Sequence, residues 1–150
     1  MAAPHLSVRV HFVWSTRGRV PVLSPAWCQR LYSHLGSLAG QKGAALIAAG
    51  GMPDHIHLLV SLPENLAIRD LVDTLKTESA AWVRTTWLPR TNFAWQENYG
   101  AFGVSKSLEA KVIRYIQGQE CYHRTMGFQS EFRSLLERHG IEYGEEGLWD

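Results

Sequence analysis

The chain has 150 residues, 45% of them hydrophobic and 19% charged: enough for one domain with a real core, and too apolar for a disordered polymer. A formal net charge of +1 excludes a polycation that coats nucleic acid indiscriminately, though not local basic patches. Cys28 and Cys121 have no metal-like spacing, the first residues lack a leader pattern, and no apolar run is long enough to span a bilayer, so the expectation is one cytoplasmic domain over residues 1–150 with no membrane contact.

Val8, Val10, Phe12 and Trp14 alternate with Ser7, Arg9, His11 and Val13, which predicts a first strand over residues 7–15 with one core face. Residues 16–19 form a basic turn. Ser24-Pro25 reads as an N-cap with proline in the first helical position. Trp27, Leu31, Leu35 and Leu38 follow at helical spacing, and Gly40 or Gly43 ends that helix. A small-residue strand over 44–49 and a longer loop over 50–54 lead into an apolar strand that opens with two histidines, an antiparallel hairpin.

A second helix is expected to open at Pro63-Glu64-Asn65 and to bury Ile68, Leu71, Val72, Leu75, Trp82 and Val83, with Pro89 beyond its end. Residues 93–96 and 99–104 suggest a broken strand. Ser105 or Ser107 caps a third helix over 108–123, and a short fourth helix over 130–139 carries Phe132, Leu135 and Leu136 and stops at Gly140. The order β-α-β-β-α-β-α points to an α+β, ferredoxin-like sandwich: an antiparallel β-sheet with helices packed on one face.

Two places carry chemistry. Side chains alternate along a strand, so His55 and His57 share a face while Ile56 and Leu58 take the other. Taken alone, His-x-His also describes two polar residues on a solvent-facing strand. The apolar run Leu58-Leu59-Val60 anchors this pair in a sheet, which gives the stiffness a divalent metal requires. In the third helix, Tyr115 and Gln119 lie one turn apart and project from one face. They read either as a surface tyrosine above a solvated glutamine, or as a phenolic nucleophile beside a neutral oxygen ligand. Gly118 between them costs about 1 kcal/mol of helix propensity relative to alanine, and marks either a packing need or a bend.

Met52-Pro53-Asp54-His55-Ile56-His57-Leu58-Leu59-Val60, Trp95-Gln96, Tyr99-Gly100-Ala101-Phe102-Gly103-Val104-Ser105, Tyr115-Ile116 with Gln119-Glu120, and His139-Gly140-Ile141-Glu142-Tyr143 follow in one order. Together they resemble the single-tyrosine HUH transposases of small bacterial insertion sequences, a group that includes the REP-associated tyrosine transposases. The resemblance runs from the Phe12-Val13-Trp14 strand to Trp149. It implies a ferredoxin-like fold, a divalent metal (Mg²⁺ or Mn²⁺), and cleavage and rejoining of single-stranded DNA that carries a hairpin. His55 and His57 become metal ligands, Gln119 the third ligand, and Tyr115 the nucleophile that forms a 5′-phosphotyrosine. It also implies a homodimer, in which one subunit's tyrosine helix can complete the other's site, and leaves open whether the site is assembled in cis or in trans. Ligation by neutral His and Gln would leave the metal's charge uncompensated by protein carboxylates, which suits an anionic phosphate.

His123 is a rival to Gln119, as ligand or proton shuttle. Arg17, Arg19, Lys76, Arg84 and Arg114, with Lys106 and Lys111, are candidate DNA contacts that read equally as solvated charges. Trp87, Trp95 and Tyr99 are candidate base-stacking residues, whereas Trp14, Trp27 and Trp82 fall on apolar stripes. His11 and His34 are expected on partly exposed faces. Three other readings stay open: a domesticated relative that binds and nicks chromosomal hairpins, a non-catalytic single-stranded nucleic-acid-binding module, and a plasmid-type relaxase, which the short chain disfavours.

Overall fold

The computed structural model describes residues 2–89 and 91–150. Four strands form one antiparallel sheet: β1 (Arg9–Ser15), β2 (Ala45–Met52), β3 (His55–Ser61) and β4 (Gly100–Val104), in the order β2-β3-β1-β4. Strand alternation sends Val10, Phe12 and Trp14 of β1 to the same face as Ile56, Leu58 and Val60 of β3. Two long helices cover that face, α1 (Pro25–Gln41) and α2 (Ile68–Thr86). Their buried stripes, Trp27, Leu31, Leu35 and Leu38 on one and Leu71, Val72, Leu75 and Val83 on the other, complete the main core. Ser24 caps α1 by accepting from the Ala26 amide, with Pro25 in the first turn. The result is the expected α+β sheet-and-helix sandwich.

The opposite face is also covered. Three C-terminal helices lie against it: α3 (Glu109–Gln117), α4 (Gln119–Tyr122) and α5 (Phe128–Arg138). Val13 packs there with Phe102, Phe128, Phe132 and Leu135, and Leu59 packs with Ile116. His11 therefore lies in a closed interior at 3% exposure, not on the partly exposed face that alternation alone suggests.

Several boundaries differ from the sequence reading. β2 runs on through Gly50, Gly51 and Met52, Met52 pairs with His55, and only Pro53 and Asp54 turn the chain. Both glycines sit where another backbone comes very close: a Cβ on Gly50 would stand 2.1 Å from the Ile116 carbonyl oxygen of α3, and one on Gly51 would stand 2.2 Å from the His55 carbonyl oxygen of β3. α2 begins at Ile68, which is 37% exposed and outside the buried stripe. Residues 93–96 form no strand: Trp95 makes an isolated bridge to Thr16, and the Gln96 amide donates to the Ser15 carbonyl of β1 at 2.9 Å. The third helix breaks at Gly118 into α3 and α4, so the weak helix former marks a bend. Among the described residues, no helix is long and apolar enough to cross a membrane.

Candidate metal centre and nucleophile

Strand β3 presents His55 and His57 to the C-terminal helices, both fully buried. Four further side chains converge on them: Tyr115, Gln119, His123 and Glu131. Gln119 of α4 brings its Oε1 to 3.0 Å from His55 Nε2 and 2.9 Å from His123 Nε2. Glu131 of α5, 1% exposed, sets one carboxylate oxygen 3.3 Å from His55 Nε2, 3.1 Å from His57 Nε2 and 3.0 Å from His123 Nε2. The ligand atoms of His55, His57, His123 and Glu131 all lie within 4.8 Å of one another. Tyr115 of α3 donates its hydroxyl to the second oxygen of Glu131, and Gln119 Nε2 donates to that oxygen at 3.1 Å.

The imidazole tautomers follow from the outer contacts. Asp54 Oδ1 accepts from His55 Nδ1 at 2.7 Å, and the Met126 carbonyl accepts from His123 Nδ1 at 2.6 Å. With Nδ1 carrying the proton, Nε2 of each neutral ring directs a lone pair into the cluster. There it meets Gln119 Oε1 and Glu131 Oε1, which are also acceptors. Lone pairs facing lone pairs repel, so something positive must stand among them, either an added proton or a cation. His57 Nδ1 lies 2.8 Å from His11 Nε2, so a proton on the former leaves all three Nε2 atoms free as ligands. Three imidazole nitrogens and a carboxylate are a donor set that a divalent metal accepts, and the buried cluster fits such an ion.

Without a metal, the charges distribute accordingly. Burial works against a charged His55, but hydrogen bonds with Asp54 and Glu131 dominate and push it up to about 9. Burial, with His57 beside it, pulls His11 down to about 3, so that ring is neutral. Burial also lowers His57, outweighing the pull of Glu131. Glu131 is itself desolvated, yet hydrogen bonds with His55 and His57 hold it well below the usual carboxylate range. Burial, then the Glu131 charge, raises the Tyr115 phenol, which stays protonated and donates.

The sequence-predicted residues fall into two groups. His55, His57, Tyr115 and Gln119 meet at one point within a single chain, together with the rival His123. The basic candidates are dispersed. Lys76 Nζ donates to the carbonyls of Gln96, Glu97 and Asn98, and Arg84 Nη1 donates to the Phe93 carbonyl, so both hold the loop before β4. Arg17 and Arg114 are exposed, and Arg19 lies over the Trp149 ring at 5.3 Å. Lys106 pairs with Glu109. Trp95 is buried, its Nε1 donating to Ser79 at 2.8 Å, while Trp87 stacks on Trp27 and Tyr99 sits beneath Lys76.

Sequence reasoning missed Glu131, and its carboxylate corrects the expectation of a site without acidic groups. The signal was present: Glu131 lies within the apolar stripe Phe128, Phe132, Leu135 of α5, where an unpaired carboxylate would be costly. It also left Asp54 and His11 without a role, although both set the orientation of the histidine pair.

The profile of the family described as Transposase IS200 like matches residues 5–119. The ISDra2 transposase TnpA of Deinococcus radiodurans is 32% identical over 114 residues, covering 73% of this chain and 81% of that protein. A transposase crystal structure from the same organism superposes with a TM-score of 0.62 at 28% identity, over 79% of this chain and 96% of that one. A REP-associated tyrosine transposase, solved bound to a REP hairpin, shares the fold with a TM-score of 0.56 at 15% identity, over 77% and 70% of the two chains. The family match spans both strand histidines, Tyr115 and Gln119, and stops before His123 and Glu131. This chain belongs to the IS200-like transposases, a family of DNA-processing enzymes.

Proposed function

We propose that this protein cleaves and rejoins single-stranded DNA at hairpin-bearing ends, with Tyr115 as the nucleophile and His55, His57, Gln119, His123 and Glu131 around a divalent metal. The observation that carries the proposal is the sharing of Glu131: one oxygen faces three imidazole nitrogens and the other accepts the Tyr115 hydroxyl. The hairpin comes from the motif resemblance, and a neighbour of the same fold has been solved on such a hairpin.

When bound, the metal supplies Lewis-acid stabilisation to the scissile phosphate. The nitrogen-rich donor set favours Mn²⁺ over Mg²⁺ as that ion. The chain's own groups do the rest. Free tyrosine has a pKa near 10, and this phenol is raised further, so attack needs a proton acceptor. Glu131 is already hydrogen-bonded to the phenol and accepts its proton as the Tyr115 oxygen bonds to phosphorus. The phosphorus–O3′ bond breaks, and the departing 3′ oxygen takes a proton from water. A 5′-phosphotyrosine remains and retains an ester linkage, so a second 3′-hydroxyl attacks it in the reverse sense and rejoins strands without ATP. Asp54 and His11 hold the two strand imidazoles at fixed rotation during this exchange. Exposed Arg17 and Arg114, together with Arg19, contact backbone phosphates, whereas Lys76 and Arg84 shape the protein.

The test is to trap the covalent adduct. Wild-type protein, incubated with hairpin-bearing single strands and Mn²⁺, is expected to yield a protein–DNA adduct that mass spectrometry maps to Tyr115. Tyr115→Phe loses one oxygen and should bind DNA with little change yet cut none of it. Cutting by that variant, or an adduct elsewhere, overturns the assignment.

A further inference from the structure

A cavity of about 710 Å³ opens beside the cluster, between the first half of α1, the end of β2 and the α3–α4 junction. Its walls include Gln29, Tyr32, Gly51, Gln117, Gln119 and Glu120. Gln119 belongs to both places, because the side chain whose Oε1 meets His55 and His123 also lines this cavity. An occupant therefore stands next to anything held at the histidines.

The chemistry of the walls restricts that occupant. Among the described residues, no Lys, Arg or His lines the cavity, so a phosphate inside it would find no counter-charge. Amides from Gln29 and Gln117 and the half-buried Tyr32 phenol present neutral donors and acceptors. β2 is an edge strand of the sheet, so one side of its backbone has no partner strand, and Gly51 of that strand lines the cavity. The volume lies within the range of pockets that enclose a small organic ligand. The back wall is fixed, since Gly50 lets the Ile116 carbonyl close directly against the strand.

We infer that this cavity receives one unpaired nucleobase of the DNA strand, the base flanking the phosphate held at the histidine cluster. The inference rests on the proposed strand chemistry and adds to it a protein-side reading of sequence. A base is a neutral, flat heterocycle whose edge carries donors and acceptors, and enzymes that extrude bases read that edge in such pockets. Glu120, exposed at the rim, accepts hydrogen bonds only, so it favours a base with an exocyclic amine, as in cytosine or adenine, over thymine.

The experiment uses full-length, ¹⁵N-labelled Tyr115→Phe protein with Mg²⁺ and two short single strands of equal length, one of mixed sequence and one abasic throughout. The mixed strand should shift the side-chain amide resonances of Gln29 and Gln117, and the abasic strand should leave them in place. Gln29→Ala should weaken binding of the mixed strand by about tenfold, the scale of one lost base contact, with abasic binding unchanged. A dC homopolymer should bind more tightly than a dT homopolymer, and Glu120→Gln should remove the difference. Amides that stay still with the mixed strand, or move equally with both strands, overturn the inference. The strand chemistry is judged separately by the adduct at Tyr115: an adduct with unmoved amides sinks only the base pocket, and shifted amides without an adduct sink only the chemistry.

Discussion

Glu131 accepts hydrogen bonds from Tyr115 and Gln119 on one oxygen while its other oxygen faces three imidazoles, so neutralising it disturbs nucleophile and ligand set together. Glu131→Gln is expected to slow strand cleavage by about 10²–10⁴-fold, the usual range for loss of a positioned base, and to weaken Mn²⁺ binding in calorimetry. An unchanged cleavage rate would remove Glu131 from the proton path. The metal-free protein should also show a stability optimum near pH 6.5, set by opposed histidines. His55 is raised from 6.5 to about 9, so its contribution is full below 6.5 and is lost as pH climbs through 9. His11 is depressed from 6.5 to about 3, so its contribution is full above 6.5 and is lost as pH falls toward 3. Glu131, depressed from 4.5, adds to the acid limb below that value. Thermal unfolding in chelator from pH 4 to 10 checks this. Bound metal displaces the His55 proton and should erase the alkaline limb. Local periodicity, two residues on a strand or four on a helix, showed that His55 shares a face with His57 and Tyr115 with Gln119, whereas their roles came from the family resemblance. Glu131 could not be read that way, since its contact with His57 joins residues 74 apart in the chain.

Helices α1 and α2 were legible because a one-sided apolar stripe and, for α1, a Ser-Pro start specify them locally. The β2–β3 connection was not. Gly50 and Gly51 look like loop residues in a string of letters, and only the approach of α3 to the first and of β3 to the second explains them as strand. Gly50→Ala places a methyl group against the Ile116 carbonyl, so either β2 or the α3–α4 segment must retreat. We expect a loss of about 1–3 kcal/mol in urea unfolding, the cost of overpacking a fixed interface. Weaker metal binding should accompany it, because Tyr115 and Gln119 ride on the displaced helices. A variant as stable as wild type, with full metal affinity, would show that this contact does not set the site. The break at Gly118 was visible as a weak helix former, but its direction depends on β2, which the local sequence does not encode.

At the level of the molecule, both faces of the sheet are occupied, by α1 and α2 on one side and α3 to α5 on the other. The order of elements pointed to the first layer. The second was hidden because Val13 and Leu59, on the histidine side, are apolar without any neighbouring pattern to say what covers them. Since Tyr115 and the histidines meet inside one chain, mixing Tyr115→Phe with His57→Ala should restore no cleavage above either variant alone. Recovery in the mixture would mean that subunits exchange helices, as the family resemblance allows for a homodimer. Glu131 leaves the ribosome after the phenol and both strand imidazoles, since α5 follows them in the chain. A nascent chain stalled after Gln119 already holds the phenol and both strand imidazoles, yet lacks the group that accepts the phenolic hydrogen. Such a fragment is expected to be inert, so competence waits until α5 has been made.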